Sequence, residues 1–180
     1  VVEGLTFTDQ AKIYITACSP TIRNCRFIDC YKIGGNGSSP QQADGGNGGS
    51  VQGGAMEIQG DSMGLVATKP KIQNCMFTNC YVQGGDGGDG DNGNQDHPEG
   101  WDGGWAGYGH GGAVYGSTYA DPVFERCHFE GCYAQGGSGG DGGNGQQASH
   151  GGRGGNLVWP DLIEQSMIDD WWDGWENGPY

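Results

Sequence analysis

One stretch of sequence occurs three times and decides the fold: PTIRNCRFIDCYKIGG at 20–35, PKIQNCMFTNCYVQGG at 70–85 and PVFERCHFEGCYAQGG at 122–137. The copies share the pattern P-x-[IF]-x-[NR]-C-x-F-x-x-C-Y-x-x-G-G. Their first cysteines, Cys25, Cys75 and Cys127, lie 50 and then 52 residues apart. Self-similarity at a fixed period of this size indicates a stacked repeat architecture.

Each motif predicts short strands separated by two sharp corners. Ile22 and Phe27 are an odd number of residues apart, so a corner between them is needed if both side chains face inward. Asn24 occupies this first corner, and Asn tolerates the left-handed backbone of a tight bend. The second corner falls at Asp29, Asn79 and Gly131, and the third copy has Arg126 at the first.

Parallel stacking of the motifs about 4.8 Å apart places like residues in columns. The expected columns are Cys25–Cys75–Cys127, Phe27–Phe77–Phe129, Cys30–Cys80–Cys132 and Tyr31–Tyr81–Tyr133.

A Gly-rich insertion follows each motif, at 34–53, 84–111 and 136–154. Gly recurs in a three-residue rhythm, as in GGDGGDG at 84–90. One hypothesis is flexible coil. The other is a set of left-handed three-fold extended helices packed side by side on one flank, because regularly spaced Gly allows close backbone packing. Each insertion ends on a strand-like segment, so it is expected to be a loop on one side of the stack.

Composition narrows the class of protein. The 180 residues include 40 Gly, and 22 acidic against 8 basic side chains give a net charge of −14 and a pI of about 4.3. This balance argues against nucleic acid as a partner, because phosphate binding needs Lys and Arg. No apolar run approaches the ~20 residues of a membrane span. A Cys-, Gly- and Asn-rich acidic repeat suggests a secreted or surface location.

The motif resembles the repeats of right-handed parallel β-helices of the pectate-lyase-like superfamily. It is especially similar to the P-x-I-x-N-C-x-F … G-G-A units of bacterial surface proteins and polymorphic outer-membrane proteins. The matching residues are Pro20, Ile22, Asn24, Cys25 and Phe27, then Pro70, Ile72, Asn74, Cys75 and Phe77, with Gly54-Ala55 and Gly112-Ala113. The resemblance implies an extracellular location and a structural or adhesive role, although some members cleave polysaccharides.

These observations together predict an all-β chain. Residues 1–159 are expected to form a short right-handed parallel β-helix of about three to four rungs that carries the insertions. The tail 160–180, PDLIEQSMIDDWWDGWENGPY, breaks the repeat, and its apolar residues recur at helical spacing. It is expected to be helical or extended, and either caps the open stack or docks on another subunit through Trp171, Trp172 and Trp175, because Trp is a frequent interface anchor.

The cysteines leave three interpretations open. The six motif thiols act as small buried hydrophobes, form disulfides across rungs or corners, or bind a metal. The C-x-x-C spacing typical of zinc sites is absent. Cys18 is the seventh cysteine.

Two loop features are candidate binding sites. GGDGGD at 84–89 and GGSGGD at 136–141 match the start of the calcium-binding nonapeptide repeat, but not in tandem. Their carboxylates are either solvated loop groups or calcium ligands; the candidates are Asp86, Asp89, Asp91, Asp96 and Asp141. In WDGGWAGYGH at 101–110, Trp101 and Trp105 are candidates for stacking on glycan rings.

Three functions follow, in order of preference. The first is a non-enzymatic structural subunit of an extracellular filament or surface layer, because so few rungs leave two open ends and identical chains can stack head to tail. A fragment of a longer solenoid explains the open ends equally. The second is a surface adhesin module that binds carbohydrate or calcium. The third, a polysaccharide lyase or hydrolase, lacks a recognisable catalytic constellation.

Overall fold

The computed structural model describes residues 1–61 and 68–145 with their side chains, and the backbone of 157–158. Within these residues the chain is all-β, with short strands and no helix. The strands are β1 (Val2–Glu3), β2 (Thr6–Thr8), β3 (Ile13–Thr16), β4 (Thr21–Arg23), β5 (Arg26–Ile28), β6 (Tyr31–Ile33), β7 (Val51–Gln52), β8 (Met56–Gln59), β9 (Lys71–Gln73), β10 (Met76–Thr78), β11 (Tyr81–Gln83), β12 (Gly109–His110), β13 (Val114–Gly116), β14 (Val123–Glu125), β15 (His128–Glu130), β16 (Tyr133–Gln135) and β17 (Leu157–Val158).

The strands form five sheets in which every pairing is parallel. Sheet I is β1-β4-β9-β14, sheet II is β2-β5-β10-β15, sheet III is β6-β11-β16, sheet IV is β7-β12-β17 and sheet V is β3-β8-β13. Successive passes of the chain visit the sheets in the order I, II, III, IV, V. We call β4–β8 with their insertion row 1, β9–β13 row 2 and β14–β17 row 3. This all-β, parallel arrangement is compatible with a β-solenoid.

The strands β1–β3 form a shorter row 0 that lies against row 1. Val2 pairs with Ile22 and Phe7 pairs with Phe27, so row 0 repeats the motif with Leu5 at the first cysteine position. Row 0 has no Gly-rich insertion, because only residues 9–12 join β2 to β3. Sheets III and IV and the insertions therefore begin one row later than sheets I, II and V.

The corners predicted from the motif are confirmed. Asn24 and Asp29 have φ values of 55° and 52°, and the same conformation recurs at Asn74, Asn79 and Gly131. Arg126 also adopts a φ of 52°, although Arg is not a residue that favours the left-handed region. Its Nε donates to Asn74 Oδ1 at 2.7 Å, which ties this corner to the one in the preceding row.

The Gly-rich insertions form a bundle of extended legs, so the flexible-coil hypothesis is wrong for the described part of them. The outgoing legs are 34–39, 84–93 and 136–145, and the return legs are 45–50 and 101–108. Every third N–H donates to a carbonyl oxygen of a neighbouring leg; for example, the N–H groups of Gly84, Gly87 and Gly90 donate at 2.8–2.9 Å to Gln135, Ser138 and Asp141. This is the three-residue period of polyproline-II-type helices.

Glycine is required inside the bundle because the backbones almost touch. A Cβ on Gly85 would lie 2.0 Å from the carbonyl oxygen of Gly35, and a Cβ on Gly140 would lie 2.0 Å from that of Gly88. Real Cβ atoms do not approach oxygen this closely, so the repeated Gly-Gly pairs allow the legs to pack at hydrogen-bonding distance.

The residue between Gly pairs supplies a second, directional set of hydrogen bonds. Asp86 N–H donates to Asn36 Oδ1 at 3.0 Å, and Asp86 Oδ1 in turn accepts from Ser138 N–H at 2.8 Å. A side-chain oxygen of each row thus accepts from a backbone N–H of the next row. The same pattern links Ser39 to Asp89, Asp89 to Asp141, Asn92 to Asn144, Asp44 to Asp102, Asn47 to Trp105 and Ser50 to Tyr108.

The predicted helix and interface residues at 160–180, including Trp171, Trp172 and Trp175, lie outside the described residues. In the part of the chain that the structure describes, no helix has the length and apolar character needed to cross a membrane.

Candidate assembly surfaces

Four phenylalanines form one stack through the interior. The ring centroids of Phe7 and Phe27 are 4.8 Å apart, and those of Phe27, Phe77 and Phe129 follow at 4.6 Å with nearly parallel planes. Phe27 and Phe77 are fully buried, whereas Phe7 and Phe129, in the first and last rows, are only partly buried. The stack thus ends in apolar rings that are accessible at both ends of the described rows.

Two neighbouring interior columns end in the same way. The column that continues Cys25 and Cys75, which are 1% and 2% exposed, ends at Leu5, which is 51% exposed. At the opposite end Phe124 and Cys127 are partly exposed, although their counterparts in rows 1 and 2 are buried. These positions are apolar because they belong to the core pattern, and they are accessible because nothing among the described residues covers them.

The six motif cysteines line the corners as free thiols. All seven cysteines are free, so the disulfide alternative is not realised. Each motif Sγ faces main-chain carbonyl oxygens, as at Cys75, whose Sγ lies 3.7 Å from Ile22 O and 3.4 Å from Gln73 O. Because each thiol donates to the backbone of its own row or of the preceding row, the thiol columns join adjacent rows without covalent bonds.

The thiols influence one another's protonation. The contact with Cys127, followed by burial, raises the pKa of Cys75. At Cys80 the contact with Cys132 lowers the pKa, but the contact with Cys30 and burial outweigh it and raise the pKa to about 12. These two central thiols are therefore neutral at physiological pH, as expected for side chains buried in the core.

The tyrosine column lies on the outer surface. The centroids of Tyr31 and Tyr81 are 5.4 Å apart, and those of Tyr81 and Tyr133 are 5.0 Å apart, with nearly parallel rings. Tyr133, in the last row, is 46% exposed. The column is thus a lateral stripe that runs from row to row, and it too is open at row 3.

Among the described residues, the backbone edges are also open at both ends of the sheets. At the N-terminal end the outer strands are β1, β2, β3, β6 and β7, and at the other end they are β13, β14, β15, β16 and β17. Unpaired strand edges are templates for pairing with another chain. Because all pairings are parallel, one end of a copy has the polarity needed to pair with the opposite end of another.

Charge is unevenly distributed along the chain. Residues 1–33 carry four basic side chains, Lys12, Arg23, Arg26 and Lys32, against three acidic ones, whereas the whole chain has a net charge of −14. Arg23 pairs with Glu3 at 2.7 Å. Arg26 and Lys32 are exposed and have no ion-pair partner among the described residues.

Three of the five carboxylates predicted as calcium ligands act as hydrogen-bond acceptors in the bundle, whereas Asp141 is seen there through its N–H, which donates to Asp89 Oδ1 at 2.9 Å. Asp86 and Asp89 each accept from a backbone N–H of the next row, and Asp91 accepts from Gln42 and Asn92 N–H groups at 2.8 Å. The last two bonds lower the pKa of Asp91. Asp96 lies in the turn at the tip of the second insertion, where its N–H donates to Asn94 Oδ1. Within the described ranges no group of three or more potential ligands converges on one point, and calcium binding by these residues stays a prediction.

The two tryptophans predicted to stack on glycans differ in exposure. Trp101 is partly buried and lies against His97, with ring centroids 5.0 Å apart. Trp105 is 58% exposed on the return leg, and the next residue of the three-residue series, Tyr108, is 41% exposed. Trp105 and Tyr108, rather than the pair Trp101 and Trp105, therefore form the accessible aromatic surface.

Sequence reasoning missed a buried carboxylate cluster on sheet V. Glu57 is 5% exposed; its oxygens accept from Lys12 Nζ, from Tyr14 Oη at 2.7 Å and from Gln59 Nε2 at 2.9 Å. Burial opposes ionisation, but these hydrogen bonds and the Lys12 charge outweigh it and lower the pKa of Glu57. The one sequence feature that could have indicated this cluster is the acidic Glu57 within the apolar run AMEI. The cluster ties row 0 to row 1.

Comparison with protein-family models, with curated proteins and with solved structures finds no match to this chain.

Proposed function

We propose that this chain is a non-enzymatic structural subunit of an extracellular filament or surface layer. Each copy contributes a short right-handed parallel β-helix of three to four rungs, and the copies stack end to end. One observation carries the proposal: the interior columns end in accessible apolar residues on both sides, at Leu5 and Phe7 in row 0 and at Phe129 in row 3.

End-to-end stacking covers both the accessible apolar residues and the unpaired strand edges at the two ends of the described rows. It buries the apolar ends, and burial of apolar area is the main favourable term in association. It also pairs backbone groups of β1 and β2 with β14 and β15 of the neighbour. Since identical ends do not meet, the contact is heterologous and propagates without closing, which gives a filament.

Electron microscopy tests the proposal directly. Sheets I and II contribute four strands per copy, so each copy adds about 19 Å to the filament at the usual ~4.8 Å strand spacing. We expect filaments that lengthen with protein concentration. Their fibre diffraction should show the ~4.8 Å strand spacing and the subunit repeat of about 19 Å. Compact monomers at all concentrations, measured by sedimentation velocity on folded protein, would refute the proposal.

A matched pair of variants locates the contact. Leu5→Asp places a charge on the accessible end of an interior column, and we expect it to abolish filament growth. Tyr119→Asp introduces the same charge at a residue that is 60% exposed and lies beside Gly60 on the flank of the stack. We expect this variant to assemble normally. Equal behaviour of the two variants would show that growth does not use the row 0 end.

The exposed pair Trp105 and Tyr108 favours glycan binding as a second candidate function. Aromatic faces that stay accessible on a folded surface commonly mark a contact site. If this candidate is correct, a glycan array shows binding that Trp105→Ala abolishes and Tyr119→Ala preserves. A silent array with folded wild-type protein would exclude it.

A further inference from the structure

The N-terminal end of the molecule is stepped. Row 0 lies beneath sheets I, II and V, but it has no strand in sheet III or IV and no insertion. Among the described residues, β6, the first insertion and β7 thus have no row beneath them. We call this surface, residues 32–39 and 44–52, the ledge.

The ledge presents unused backbone donors. In row 2 the N–H groups of Asp86, Asp89 and Trp105 donate to side-chain oxygens of row 1. Their counterparts in row 1 belong to Asn36, Ser39 and Asn47, which are exposed and have no acceptor among the described residues. Beside these donors lie the unpaired Lys32 and the apolar Ile33, which is 50% exposed. The ledge therefore combines hydrogen-bond donors, positive charge and apolar surface.

Another glycine leg in the same register does not fit on the ledge. At the position of Ser38, rows 2 and 3 have Gly88 and Gly140, where a Cβ would lie 2.0 Å from a carbonyl oxygen of the preceding row. Ser38 carries a Cβ at this position. A Cβ on Gly35 also meets nothing within 4 Å, unlike one on Gly85. The Gly-rich bundle therefore does not continue across the ledge, and the occupant must have another composition.

End-to-end stacking leaves a space beneath the ledge. Suppose that β1, in row 0 of one copy, pairs with β14, in row 3 of its neighbour. Then β7, in row 1 of the first copy, lies two rows from β17, in row 3 of the neighbour. One row, about 4.8 Å high, is then vacant between them in sheets III and IV. In sheet V, whose described strands end at β13, one row is likewise vacant between β13 of the neighbour and β3. The last described strand of the neighbour is β17, in row 3. It belongs to sheet IV, the sheet whose first strand, β7, lies on the ledge.

The residues that follow β17 have the complementary chemistry. The segment 169–176, DDWWDGWE, contains four carboxylates, three tryptophans and no basic residue. Only one of its eight residues is Gly, so it lacks the spacing of a bundle leg. The ten residues 159–168 span up to about 33 Å when extended, which is ample for a gap of one row.

We infer that segment 169–176 of one copy binds the ledge of the next copy in the filament and fills the vacant row. This inference rests on the proposed end-to-end stacking. The carboxylates meet Lys32 and the free N–H groups of the ledge, and the tryptophans cover Ile33 and the exposed faces of the first insertion. The tail of each subunit thus secures the joint that its own body forms.

Complementation between two full-length variants tests the inference. Lys32→Glu impairs the ledge and keeps the tail, whereas the double variant Trp171→Ala, Trp172→Ala impairs the tail and keeps the ledge. We expect each variant alone to need a more than about tenfold higher concentration to assemble than wild type, as for loss of an interface anchor. An equimolar mixture is expected to form heterodimers, because one intact tail meets one intact ledge. Lys71→Glu, the same charge change on exposed β9, is the control and is expected to assemble as wild type does.

The outcomes separate the inference from the proposed function. Wild type that never assembles refutes the stacking itself. Wild type and both variants that assemble equally well refute the role of the tail and leave stacking intact. A photo-crosslinker at Ser39, in a mixture of isotope-labelled and unlabelled copies, adds a direct readout: we expect mixed-isotope crosslinks to the C-terminal peptide. Crosslinks within one copy would show that the tail covers its own ledge, and crosslinks to any other segment would assign the ledge to that segment. Both results overturn the inference.

Discussion

Substitution of equivalent glycines in rows 1 and 2 tests the packing of the Gly-rich bundle. Gly35 and Gly85 each follow another Gly and precede a polar residue, Asn36 or Asp86. A Cβ on Gly85 would lie 2.0 Å from Gly35 O and 2.6 Å from Gly35 C, whereas one on Gly35 meets nothing within 4 Å. The two alanine variants therefore differ in packing and hardly in sequence context.

The expected destabilisation follows from the size of the overlap. Non-bonded heavy atoms approach to about 3.5 Å, so Gly85→Ala must separate the first and second outgoing legs by more than about 1 Å. The hydrogen bonds from Gly34 to Gln83 and from Gly37 to Asp86, at 2.8 and 2.7 Å, then lengthen beyond a useful distance. Two lost bonds and the overpacking together cost about 2–5 kcal/mol. Gly35→Ala is expected to be neutral or to stabilise by up to about 1 kcal/mol, because alanine restricts the unfolded chain.

Urea unfolding at low protein concentration measures the difference. Amide hydrogen exchange shows whether the loss is confined to the bundle, and we expect faster exchange at Gly88 and Gly104 in Gly85→Ala alone. Equal free energies of unfolding for the two variants would show that the legs do not pack as closely as the structure describes.

Three further predictions concern the core. Phe77→Ala removes a ring that is stacked on both faces and fully buried, so it should lower the free energy of unfolding by about 3–5 kcal/mol. Phe129→Ala, at the open end of the stack, should lower it clearly less. Equal losses of unfolding free energy in urea would contradict the role of the stack. Thiol titration of the native protein near pH 8 should give fast reactions at exposed Cys18 and at partly exposed Cys127, because the contact with Cys75 lowers the pKa of Cys127 to about 7. The reaction of Cys80 should be slow, because this thiol is buried and its pKa is about 12, and a fast reaction of Cys80 would contradict this arrangement. The pKa of Glu57 is lowered in the folded state, so the ionised carboxylate stabilises the fold above its ordinary pKa of 4.5, and this stabilisation is lost as pH falls below 4.5 through the folded-state pKa. Glu57→Gln should therefore flatten the dependence of the unfolding free energy on pH in this range. An unchanged pH dependence would refute the assignment.

Much of the row structure follows from the motif itself. The all-β, parallel character could be predicted because Cys, Phe and Tyr recur in one frame, and the corners could be placed because Asn, Asp and Gly accept positive φ. The structure pairs Phe27 with Phe77 and Phe77 with Phe129, in the register of the repeat. Local backbone preference and the repeat period point to the same register, which is why sequence alone was informative here.

Other features depend on contacts that the motif does not encode. The alternation of Leu5 and Phe7, then Ile13 and Ile15, indicates strands of a rung before the first motif, and the structure has strands there. The alternation does not show that this row lacks an insertion, so the step that row 0 creates went unpredicted. The cluster around Glu57 joins residues 43 to 45 positions apart through side chains with no shared pattern. The carboxylates proposed for calcium were identified from a partial match to the calcium-binding nonapeptide repeat, and this match does not show that Asp86 and Asp89 accept hydrogen bonds from the next row.

The three-residue hydrogen-bond period of the legs restricts how insertions of this kind can change in length. One added or deleted residue within a leg would bring side chains to the positions where only glycine fits, so a leg can grow or shrink only by whole triplets, about 9 Å at a time. The tips are exempt: the second insertion has a longer tip than the first and closes it with a turn around Asn94, whose N–H and Oδ1 bond to His97. Natural length variants of such loops are therefore expected to differ by multiples of three within the legs and by any number at the tips.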